Sequence, residues 1–186
     1  TNATIVKDAS STLSNATLVI RDGRIVGVGT GLAVPAGAVE VDCKGKYIYP
    51  SFIDIYSEYG TPQRQTGTGG GGFNFNQQPQ LETAAKGPFG WNQAIKSDVD
   101  VYKVFSVNDA NAKLMREAGF GAVLTHVKDG VARGTGAVVT LANEKENLVI
   151  IKEKASAHYS FSKGTSTQAY PGSKMGYIAL MRQTYL

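Results

Sequence analysis

At 186 residues, 42% hydrophobic and 18% charged, the chain has the make-up of one globular domain or of a small domain joined to part of another. Its formal charge of +4 permits acidic partners, yet Lys and Arg are scattered singly, which excludes the basic run of a nucleic-acid or membrane-surface patch. No apolar run reaches the roughly 20 residues that span a bilayer, and the single Cys43 excludes an intrachain disulfide.

The first part reads as β-structure. Ala3 to Lys7 and Ala16 to Arg21 are short strands rich in Ile, Val and Thr. Asp22-Gly23 between Leu18–Arg21 and Arg24–Val28 is a two-residue hairpin signal, because a type I′ turn needs positive φ at both central residues. Val39 to Cys43 alternates apolar and polar side chains and is expected to be a strand, with Cys43 as a small buried hydrophobe. A unit of this length buries little core by itself.

From Tyr47 to Glu58 the chain changes character. Phe52 and Ile53 read as a buried strand, and Asp54, Tyr56 and Glu58 follow at every second position, on one face of an extended chain. Residues 60–80 form a Gly/Asn/Gln-rich stretch, expected to be a flexible loop. Its Gly67–Gly72 run lacks the Lys and Ser/Thr that a P-loop needs. Val101 to Phe105 reads as a strand, and Asn108 caps a helix that runs to Ala118 and stops at Gly119, with Ala112, Met115 and Ala118 facing inward. Gly121 to Val127 is the next strand, which makes a βαβ unit. Asp129 to Gly136 reads as a glycine turn around Arg133. It serves either as tight geometry alone or as a backbone nest for an anion or substrate oxygen. Ala137–Ala142 and Leu148–Lys152 read as strands, and Ala157–Phe161 as a strand or loop edge. Ser173 caps a last helix whose Met175, Ile178, Ala179 and Leu186 share an apolar face.

Four pieces in order, Asp22–Gly29, Pro35–Ala38, Asp42–Lys46 and Pro50–Asp54, resemble the opening of the amidohydrolase superfamily, of the imidazolonepropionase and dihydroorotase kind. The resemblance implies an α/β fold. Residues 1–49 would be part of a small composite β-sandwich, and residues 50–186 the N-terminal part of an incomplete TIM-type (β/α) barrel. A closed barrel takes roughly 250 residues, so the chain reads as a fragment, trimmed before Thr1 and cut at Leu186. The remainder of its own polypeptide, or a second copy, would cover it. A processed start at Thr1 leaves extracytoplasmic location, after removal of a signal peptide, and cytoplasmic location both open.

The resemblance also implies a function for the parent: hydrolysis of non-peptide C–N bonds of a small cyclic-amide-type substrate by water activated on a zinc-type ion. Where the family carries its two strand-end metal histidines, however, this chain has Tyr56 and Glu58. No metal is therefore expected within the fragment, and a degenerate, non-catalytic binding or structural domain stands as the alternative. Of the two histidines, His126 reads as a satisfied core residue and His158 as a surface or loop residue. Ser160 and Ser162 form no nucleophile elbow. Arg133, Gly134 and Gly136 are the candidate substrate or anion contacts.

Overall fold

A computed structural model of the chain describes residues 1–62, 83, 86–87 and 90–185. Most of the expected loop 60–80 lies outside the described residues. The chain divides into two compact units, Thr1–Ser51 and Phe52–Leu186.

The first unit is one mixed sheet of four strands, β1 (Ala3–Asp8), β2 (Ser11–Arg21), β3 (Arg24–Thr30) and β4 (Tyr47–Ile48), in the order β3-β2-β1-β4. The β2–β3 hairpin closes as its sequence dictates: Arg21 pairs with Arg24, and Asp22 and Gly23 both take positive φ, 50° and 71°. The expected strand Val39–Cys43 does not form. Asp42 instead turns its carboxylate onto the Lys44 backbone N–H and the Asn2 side-chain amide. This side-chain turn displaces a strand ladder. Cys43 is half-buried against a core of only Ala3, Ile5 and Ala16, as small as the unit's length allows.

The second unit is built on a sheet of β5 (Phe52–Ser57), β6 (Phe120–Thr125), β7 (Ala132–Thr140) and β8 (Ile150–Tyr159), in that order. β5 and β6 are parallel, and β6–β7 and β7–β8 are antiparallel. The fold is thus α/β with two small mixed sheets. These strands close no barrel.

Between β5 and β6 lie α1 (Val101–Val104) and α2 (Asp109–Glu117). The residues expected as a strand at 101–105 are therefore mostly a single helical turn. Val101 and Phe105 are buried in the core beneath it, and the Thr135 N–H reaches the Val99 carbonyl. Packing overrides β-branched propensity here. α2 starts and stops as read: the Asn108 side chain accepts from the Asn111 N–H, and Gly119 turns the chain at φ 94°. Its Ala112 is buried and Met115 packs on the core, but Ala118 is exposed.

α3 (Glu146–Val149) replaces the start of the strand expected at 148–152, and β8 then runs on to Tyr159. α4 (Lys174–Tyr185) begins behind Ser173, whose hydroxyl accepts from the Gly176 N–H. Its inward face is not the expected one. Leu180 is buried with Tyr177 and Met181 beside it, whereas Met175 and Ile178 are exposed.

β5 also departs from its expected burial. It is an edge strand, and Phe52, Ile53, Ile55 and Tyr56 are 53–73% exposed. Its apolar sequence is that of a strand made to be covered on both faces.

Candidate functional site at the strand ends

The parallel pairing of β5 and β6 sets their C-terminal ends side by side, with the His126 N–H bonded to the Ser57 carbonyl. β7 and β8 lie next along the sheet and bring Arg133 and His158 to the same place. The resulting cluster holds Tyr56 from β5, His126 just past β6, Arg133 from β7, and His158 with Ser156 from β8.

His126 and His158 stack face to face, ring centroids 3.7 Å apart and planes 3° from parallel, and the Tyr56 ring lies 4.8 Å from His126. Arg133 Nη1 donates to the Tyr56 hydroxyl at 2.8 Å, and its Nε donates to the Gly130 carbonyl. Lys128 sits over the Tyr56 ring, 4.3 Å from its centroid, and reaches Glu58 at 3.5 Å. Ser156 Oγ lies 2.7 Å from His158 Nε2.

His126 is fully buried, as a core histidine should be, but neither ring nitrogen has a hydrogen-bond partner. It is therefore not the satisfied residue the sequence suggests. Burial, aided by His158, Arg133 and Lys128, pushes its pKa from 6.5 down to about 4. His158, expected at the surface, is instead half-buried inside β8, and burial together with Arg133 lowers its pKa as well. Both imidazoles are thus neutral near pH 7.

The glycines singled out in the sequence belong to β7 itself, not to a turn before it. Gly134, at φ 80°, sits where the β7–β8 register shifts, and the space a Cβ would take is filled by the Val99 carbonyl. At Gly136 a Cβ would come within 2.6 Å of His158 Nε2 and 2.7 Å of Ser156 Oγ, so the bare backbone there admits the Ser–His pair. Asp54 stays apart from the cluster and accepts from the Tyr56 N–H.

Chemically, the Ser156–His158 contact resembles a nucleophile and its base, yet it is poorly suited to that work. An imidazole that takes a serine proton becomes a cation, and here burial and Arg133 both oppose it. Ser160 and Ser162 form no hydrogen bond to either histidine among the described residues. Ser156 escaped the sequence reading because it gains its partner by sharing a strand face with His158, a two-residue spacing that carries no motif.

A metal does not fit these residues. The Tyr56 hydroxyl is held by a guanidinium, and two cations, Arg133 and Lys128, adjoin the cluster. Rings in parallel planes point their in-plane lone pairs side by side, so the two histidines do not converge on one ion. No group of three His, Cys, Asp or Glu able to hold an ion occurs among the described residues. Nor is any helix among those residues long and apolar enough to cross a membrane.

No protein-family model matches the sequence, and no curated protein does. The fold does have a solved neighbour, the crystal structure of an amidohydrolase from Thermotoga maritima MSB8. The TM-score is 0.68 and the identity 20%, and the match covers 99% of this chain and 45% of that one. The likeness shows an amidohydrolase-like fold, and the chain spans less than half the length of the neighbour that displays it.

Proposed function

We propose that this chain forms the opening part of an amidohydrolase-type hydrolase in which the ends of the first strands bind a ligand's polar group and hold no metal. The observation that carries this reading is the Arg133–Tyr56 hydrogen bond, since a tyrosine hydroxyl committed to a guanidinium is a poor ligand for a divalent cation. The structural likeness to an amidohydrolase supports a hydrolase role for the whole protein, and the sequence resemblance points that role to a cyclic-amide-type C–N bond. Groups outside the cluster would then supply the metal-activated water.

A zinc titration followed by thermal unfolding tests the strand-end reading. A tight native-state site would add about 2.7 kcal/mol of stability at a hundredfold excess over its Kd. The expected result is no stabilisation, and one zinc per chain with a raised Tm, lost in Tyr56→Phe/Glu58→Gln, would sink the reading.

We assign the cover of β5 to further polypeptide of the same protein. The solved neighbour matches nearly all of this chain with less than half of its own length, and β5 leaves both an edge and its apolar side chains bare. Sedimentation of the 186-residue chain should then show no discrete dimer. A stable dimer broken by Ile55→Lys would give the strand to a second copy instead.

A further inference from the structure

Resting on the strand-end reading above, we propose that Arg133 receives an oxyanion, the carboxylate or phosphate group of a small molecule, at the centre of the cluster. Arg133 is only 7% exposed, and a guanidinium so far from water ordinarily has a carboxylate beside it. None is there. Its two hydrogen bonds go to neutral oxygens, the Gly130 carbonyl and the Tyr56 hydroxyl, and it takes part in no ion pair among the described residues.

Glu58, two residues beyond Tyr56, is matched by Lys128, so among the described residues no carboxylate offsets the charge on Arg133. Of its nitrogens, Nη2 has no hydrogen-bond partner among the described residues. Its N–H donors are left beside half-exposed Tyr56 and partly exposed His158. A planar fork of N–H donors suits a carboxylate or phosphate edge. The neighbouring neutral imidazoles add donors without adding charge. His126 supplies the independent sign of an unfilled place, with two buried ring nitrogens and no partner for either.

The test is an NMR titration of the His126 and His158 ring signals with sodium acetate, with inorganic phosphate and with neutral acetamide, all at matched ionic strength. An anion beside the rings favours their protonated forms, so acetate or phosphate should raise both apparent pKa values along a saturable curve in the millimolar range. Arg133→Lys keeps the charge, loses the fork and should weaken that response about tenfold. Arg133→Gln should abolish it. Should the Arg133→Gln variant fail to fold, the lysine variant and the acetamide control still decide.

A response to acetate alone identifies a carboxylate ligand, and a response to phosphate alone identifies a phosphate. Silence with both up to tens of millimolar, or an equal response to acetamide, overturns the oxyanion assignment and leaves strand-end binding intact. Stoichiometric zinc that broadens both rings would overturn the strand-end reading itself.

Discussion

Lowering the pH from 7 to 4 destabilises the protein by roughly 3 kcal/mol through His126 alone. In the folded chain this imidazole has a pKa of about 4 in place of 6.5. As the pH falls through 6.5, the unfolded chain takes up the proton and the folded chain does not, which favours unfolding. The stability is complete above 6.5 and is lost on the way down to 4. His158, shifted in the same direction, adds to the loss. The charged groups facing the pair are Arg133 from β7, Lys128 after β6, and Glu58, which is matched to Lys128. Asp100 and Asp129 have lowered pKa values, so their own losses come at more acid pH. Urea unfolding at half-unit pH steps should give a slope through this window, with the carboxylates adding theirs at its acid end and below. His126→Phe should flatten it while keeping the ring stack on His158. An unchanged slope in that variant would show that His126 is hydrated and titrates normally in the folded state.

Gly134→Ala is expected to cost about 3–5 kcal/mol, near the top of the range for single substitutions. Two effects combine. The residue sits at φ 80°, where an L side chain is strained. Its new methyl group would also overlap the Val99 carbonyl, which is fixed by its bond from the Thr135 N–H. Gly23→Ala is the matched control: φ is 71°, yet nothing lies within 4 Å of the added carbon. There only the conformational term operates, about 1 kcal/mol. Chemical denaturation of the two variants should separate by several kcal/mol. Equal losses would mean that the Val99 carbonyl yields and that close approach is not what Gly134 provides.

The legible parts of the sequence were those whose cause is local. Asp22-Gly23 needs only its own dihedrals, and Asn108 and Ser173 need only an N–H three residues on. What escaped depended on distant partners. Val101–Phe105 has a strand's composition, but the carbonyl just before it answers to Thr135, across the fold. The inward face of α4 is chosen by Val131 and Ala132, which receive Leu180, and not by the helix's own periodicity. The candidate site shows the same division. Tyr56, Glu58, Arg133 and Gly136 could be picked out singly, but the stacking of His126 on His158 follows from β6 and β8 flanking β7. No spacing along the chain announces that.

The order β5-β6-β7-β8 also bears on how the second unit assembles. β7 and β8 are joined by a short helical turn and can zip together from it. β5 must wait for a partner made after a long intervening stretch, and such distant closure is the slow kind. Until then both edges of β5 are unpaired and open to other nascent chains. The vulnerable moment in the life of this polypeptide therefore falls during synthesis, and the yield of folded protein depends on how quickly β5 finds β6.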